Sequence, residues 1–237
     1  MFSNRMPVKR GGRDEGEKPF WISFEDLMTS LMVLFLLAMS VALVAVTKKT
    51  NEAERRQAER KEDIAKILDK IEEATRRYPG VKVNRDRNVI DFGDRARFDT
   101  ASSTLSADQA RLMRAFVPEV LAIARDQIGQ HWLKRIVVEG FTDQRGSYLY
   151  NLNLSLQRSQ RVLCILLAQP SAGERAMTPN ERNQIRNLFL VGGYSSNSAL
   201  PSLDASRRIE LRLEFFEVNE EHKKTPDQTA DIGICSI

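Results

Sequence analysis

Two groups of residues in this 237-residue sequence have the types and spacing to do chemistry. The first is Asp26, next to Glu25, at the head of an apolar run in which Leu27 to Val46 carry no charge and only Thr29, Ser30 and Ser40 are polar. A low-dielectric surrounding disfavours the charged form of a carboxylate, so such an acid can alternate between charged and neutral as protons arrive and leave. Thr29 and Ser30 fall one helical turn beyond it, placed to hydrogen-bond it or to line an ion path, while Glu25 points about 100° away. The second group is Asp143 with Arg158. Asp143 precedes a helical stretch starting at Tyr148, on which Tyr150, Leu154 and Arg158 recur at spacings of four with Asn151 beside them. An Asp and an Arg facing one small cleft are complementary hooks for a zwitterion, the Arg gripping a carboxylate in two-pronged fashion and the Asp an ammonium. The plainer reading of the same residues is a helix-capping Asp and a surface Arg.

The first group needs a membrane helix to hold it. A span takes about 20 mostly apolar residues, and Leu27 to Val46 supplies 20. The run is too long for a secretory signal and is followed by Lys48 and Lys49, which reads as an uncleaved anchor. Two placements are open. Ser23-Phe24-Glu25-Asp26 fits a capping box that starts the helix at Phe24, with Trp21 at the interface. A start near Phe20 instead places Asp26 roughly 9 Å along the axis, where an acid must face a bundle interior because lipid exposure costs about 2.5 to 3.5 kcal/mol at mid-bilayer. Basic residues lie on both flanks, so the positive-inside rule gives no orientation.

The chain divides into a charged, Gly- and Pro-bearing tail at 1–19, the membrane helix at 20–46, a charged linker helix at 47–79, a mixed domain at 80–218 and a polar tail at 219–237. In the linker, Ile64, Ile67, Leu68 and Ile71 form a narrow apolar stripe, either on a solvated spacer helix or as the seam of a short parallel coiled coil. The segment 81–92 reads as two short strands around a polar turn. A helix over 107–129 follows, which Pro118 should kink or split. Strands are expected at 135–141, 187–194 and 207–216, the last with one wet face because RRIELRLEFF alternates charged and apolar residues. The helix at 148–168 presents Leu149, Leu152, Leu156, Leu163 and Leu167 to a sheet. The order β-α-β-α-β-β gives an α+β, two-layer domain.

Composition narrows the function further. The net charge of +4 is spread over several segments and no basic cluster is interleaved with aromatics, so no direct nucleic-acid binding is expected. His131 and His222 have neither metal nor triad spacing and no Gly-rich phosphate loop is present, which argues against an enzyme, a metal or a cofactor.

The segment 138–167 resembles the signature of OmpA-like peptidoglycan-binding domains: Thr142, Asp143, Gly146, Asn151, Leu154, Ser155 and Arg158 stand in register, and ARFDTASSTLSADQ and the terminal RRIEL match as well. The resemblance covers roughly 85–216 and departs at Phe141, where the family often has His. It implies that Asp143 and Arg158 bind the diaminopimelate of the cell-wall peptide, with Tyr150, Asn151 and Leu154 in the same site. Phe24-x-Asp26-Leu27-Met28-Thr29-Ser30-x-Met32 resembles the membrane helix of B subunits of ion-driven rotary stators, the MotB class, and in particular those of Zorya anti-phage defence complexes. Those B subunits pair such a helix with an OmpA-like domain. The likeness implies an inner-membrane, single-pass protein with a cytoplasmic N-terminus and a periplasmic domain. It also implies a translocated ion on Asp26, H⁺ or alternatively Na⁺. The implied partners are a second copy of the chain as a homodimer, a ring of ZorA-like or MotA-like multi-span A subunits, and peptidoglycan. In an oxidising periplasm Cys164 and Cys235 are either a disulfide tying the C-terminal tail to the last helix or a buried and a loose thiol.

Overall fold

The structure, a computed structural model, describes residues 20–170, 174–221, 233 and 235. The tail at 1–19, His222 and most of the tail at 219–237 lie outside the described residues. The first element is one unbroken helix, α1 (Phe20–Thr75). Because α1 runs from Phe20, Ser23 sits inside it and is not its N-cap. Every side chain from Phe24 to Arg55 is exposed. The chain separates into two compact units between Arg55 and Arg56, so the C-terminal part of α1 belongs with the mixed domain.

That placement settles the apolar stripe. Ile67, Leu68 and Ile71 are buried in the same core cluster as Phe116, Leu133 and Leu211, with Ile64 packed against it. The stripe is neither a solvated face nor a coiled-coil seam; its own domain covers it. Polar bonds hold the same face: Arg60 donates to the Phe216 carbonyl at 2.7 Å and the Trp132 indole donates to Asp63 at 3.0 Å.

The domain is α+β. Its strands are β1 (Lys82–Asn84), β2 (Val89–Asp91), β3 (Leu133–Gly140), β4 (Phe189–Gly193) and β5 (Ile209–Phe215), in the sheet order β1-β2-β5-β3-β4. Only β3 and β4 run parallel. The β1–β2 turn closes with Asn88 in the left-handed region (φ 52°). One sheet face packs on α2 (Ala107–Arg125), α3 (Gln127–Trp132), α4 (Tyr148–Leu167) and α5 (Pro179–Leu188) around a core that includes Phe116, Val120, Ile136, Val138, Leu166 and Ile185. A one-turn helix, α6 (Leu203–Ser206), precedes β5.

Three expectations are corrected. Pro118 lies inside α2 without splitting it; the helix ends instead at Asp126, whose carboxylate caps α3 by accepting from the Gly129 amide at 2.6 Å. The apolar face of α4 lies only partly where the leucines suggested: Leu163 and Leu167 pack against the core, but Leu149 is 73% and Leu156 36% exposed, and the buried face is Asn151, Leu154, Ser155, Arg158, Ser159, Val162 and Leu166. Close approach is the reason. A Cβ on Gly140 would stand 2.0 Å from the Ser155 carbonyl oxygen, so the end of β3 meets α4 backbone to backbone at a face made of small residues. Finally, the expected wet face of β5 is not simply wet. Glu139 and Glu210 stand directly opposite each other and are both buried, an arrangement of like charges that would destabilise the pair of strands. Arginines interleave and roof them: Arg212 holds Glu139 at 2.5 and 3.0 Å, and Arg208 and Arg87 hold Glu210 at 2.8 and 2.6 Å.

Candidate functional site

The head of α4 builds the site. Ser147 caps the helix by accepting from the Tyr150 amide at 3.4 Å. The loop before it turns at Gly146, whose φ of +95° suits glycine. The Asn151 side-chain amide then ties that loop down, donating to the carbonyls of Asp143 at 3.3 Å and Arg145 at 2.9 Å. Asp143, Tyr150, Asn151, Leu154 and Arg158 line one cleft of about 240 Å³, together with Thr100, Ala101, Thr142, Arg145, Gly146 and Arg207. All five residues expected in this site are thus brought together.

Asp143 and Arg158 do not bond to each other. Asp143 is 5% exposed and accepts from the Arg145 amide at 3.0 Å, from the Arg145 guanidinium at 2.7 and 3.3 Å, and from Arg207 at 3.1 Å. The Arg145 guanidinium foremost, against the opposing cost of burial, lowers its pKa to about 2. Arg158 is fully buried. It donates to the carbonyls of Ser102 at 2.9 Å, Phe141 at 2.7 Å and Asp99 at 3.0 Å, and its guanidinium lies 4.8 Å from the centre of the Phe98 ring. Burial, and then the neighbouring Arg207 cation, pull its pKa down to about 10. Three of the five N–H groups of a guanidinium are used by these carbonyls. No carboxylate pairs with Arg158 among the described residues, so it is a desolvated cation whose remaining donors suit an anion. Two of these bonds, to Ser102 and Asp99, fix the turn at Asp99–Ser102, in which Ala101 adopts a left-handed φ of 55°.

Sequence reasoning missed Arg145 and Arg207 as site residues, and named Thr142 only as part of the matching signature. Arg145 is two residues from Asp143, and Arg207 opens the RRIEL match, but neither has a periodicity that marks it. The Thr142 hydroxyl is buried and has no hydrogen-bond partner among the described residues.

Asp26, Thr29 and Ser30 stand together on one turn of α1, all exposed. The Thr29 hydroxyl donates to the Glu25 carbonyl at 2.7 Å, inside its own helix, where the sequence had offered it to the Asp26 carboxylate. Among the described residues, α1 from Phe24 is the one helix long and apolar enough to cross a membrane, with a mean hydropathy of 2.5 over its membrane-length window. Cys164 on α4 and Cys235 are joined by a disulfide with their Cα atoms 5.7 Å apart. No group of three or more His, Cys, Asp or Glu side chains that could hold a metal occurs among the described residues.

No family model matches the chain. It is 43% identical to the Zorya protein ZorB of Escherichia coli O139:H28 over 228 residues, which is 96% of this chain and 93% of that protein. It is 34% identical to a peptidoglycan-associated lipoprotein of Mesorhizobium japonicum over 90 residues, 38% of this chain and 49% of that protein. Among solved structures, a MotB-like protein of Desulfovibrio vulgaris aligns with a TM-score of 0.44 at 20% identity, covering 68% of this chain and 99% of that one.

Proposed function

The chain belongs to the family of the Zorya protein ZorB, and from that premise we propose that it is the ion-translocating B subunit of an inner-membrane rotary motor in a Zorya anti-phage defence complex. In this reading the cleft holds the protein to peptidoglycan and Asp26 carries the ion, a proton in the first instance and Na⁺ as the alternative. The observation that carries the reading is that one chain joins an acid in a membrane-length apolar helix to a domain whose cleft pairs a charged Asp with a buried Arg lacking a carboxylate.

The mechanism follows from those two places. An ionised Asp26 inside the bilayer is disfavoured by about 2.5 to 3.5 kcal/mol against lipid, so it must face partner helices and it gains from taking up a proton. Its charged and neutral forms prefer different contacts with those helices, and the alternation drives a relative movement. One helix cannot enclose an ion path, so the reading requires a second copy of the chain and a ring of multi-span ZorA-like or MotA-like subunits. It places the N-terminus in the cytoplasm and the domain in the periplasm, where the cleft grips the wall. There Asp143 meets an ammonium and Arg158 a carboxylate of the diaminopimelate side chain. A subunit held still lets the ring turn against it.

The test is phage protection in cells carrying the complete complex with Asp26→Asn, with Glu25→Gln as control. The reading expects protection to be lost with Asp26→Asn at normal protein level and assembly, and to survive Glu25→Gln. Full protection by Asp26→Asn would leave a passive tether of membrane to wall, for which Asp143 and Arg158 alone matter.

A further inference from the structure

The occupancy of Asp143 has a chemical consequence for any ligand that brings an ammonium to the cleft. Both carboxylate oxygens are already engaged: one accepts from the Arg145 amide and side chain, the other from Arg145 and Arg207. The two arginines are held very differently. Arg207 has a side chain only 12% exposed and is fixed by bonds to the Phe98 carbonyl at 2.9 Å and to Asp204. Arg145 is 53% exposed, and beyond Asp143 its guanidinium bonds, among the described residues, to the Thr100 hydroxyl alone at 3.2 Å, across the cleft that both residues line. The side chain therefore spans the mouth from the loop before α4 to the turn held by Arg158.

We infer that Arg145 is a strap that occupies Asp143 in place of the ligand's ammonium, so that ligand entry is an ion-pair exchange in which the Arg145 guanidinium swings into solvent. This inference rests on the reading of the cleft as a peptidoglycan-peptide site. The chain competes with its own ligand at Asp143, and its affinity for the wall is lower than Asp143 and Arg158 alone would give. Asp143 stays ionised and ordered when the strap leaves, because Arg207 and the Arg145 amide remain on it. The arginine end of the pair lies in solvent, which compensates the guanidinium when the pair opens, so the strap lowers affinity without blocking the site.

The sign of the effect separates this role from the others open to Arg145. A residue that contacts the ligand, or that merely braces the loop, weakens binding when it is removed; a competitor strengthens it. The experiment is co-sedimentation of the detergent-solubilised full chain with purified peptidoglycan sacculi, comparing wild type, Arg145→Ala, Arg145→Met and Asp143→Asn. Arg145→Met keeps the unbranched apolar stem of the side chain without the guanidinium and its charge. Both Arg145 variants are expected to bind roughly two- to fivefold tighter than wild type, since an ion pair with one solvated partner no longer has to be broken, and Asp143→Asn to bind more weakly. If both Arg145 variants bind equally to wild type or more weakly, while wild type sediments with sacculi, the strap is overturned and the peptidoglycan reading stands. If wild type itself does not sediment with sacculi, the peptidoglycan reading falls and takes the strap with it.

Discussion

Asp143 is held charged by its neighbours, whereas Arg158 is charged in spite of its surroundings, and the difference is measurable. The pKa of Asp143 falls from 3.8 to about 2 on folding. A carboxylate with a depressed folded pKa contributes stability that is complete above its unfolded pKa and is lost as pH falls through the folded one. For this shift the contribution is about 2 kcal/mol, lost between roughly pH 4 and pH 2. Asp143→Asn is therefore expected to lower the thermal midpoint at pH 6 and to converge on wild type near pH 2, read by thermal denaturation across that range. A constant gap at all pH values would mean that the charge of Asp143 does not matter to stability. At this scale, Asp143 and Arg158 were legible because both lie within one segment, in a fixed register with the head of a helix. Arg207, 64 residues from Asp143, was not legible, since only the pairing of β5 with β3 brings its end of the strand to the cleft.

Elements explain why the fold was easier to read than the faces of its helices. The strands and long helices follow from alternation and spacing, but which side of α4 is buried was set by Gly140 of β3 meeting the Ser155 carbonyl, a contact between backbones that leucine spacing does not report. α5 escaped notice because its ten residues, PNERNQIRNL, bury little beyond Ile185 and Glu181, although Thr178 and Glu181 form a complete capping box at its start. For α1 the stripe itself was legible and its partner was not. A stripe says only that something covers it, and here the cover is the domain's own core. Ile71→Ala is accordingly expected to destabilise the domain by about 2 to 5 kcal/mol, as for other buried Ile truncations. Denaturant unfolding of the full chain checks this, with a loss that does not change with protein concentration. A loss that grew on dilution would point to a seam between two chains instead.

On the scale of the whole molecule, the Cys164–Cys235 bridge ties residues 71 positions apart and holds the end of the chain to the helix that builds the cleft. Closing so long a loop removes freedom from the unfolded chain worth roughly 2 to 4 kcal/mol. Cys164→Ser with Cys235→Ser is expected to destabilise the folded chain by that amount, read as a lower thermal midpoint. A reductant should do the same to wild type and nothing to the double variant. The mixed domain and the acid-bearing apolar helix fall in distinct units of one chain, and the proposed function gives them separate roles, the cleft holding the wall and Asp26 carrying the ion. That division is tested most directly at Asp26, by proton flux into membrane vesicles containing this chain with its A-subunit partner, compared with Asp26→Asn at matched protein level. The account predicts flux with wild type and with Glu25→Gln, and none with Asp26→Asn; undiminished flux through Asp26→Asn would contradict it.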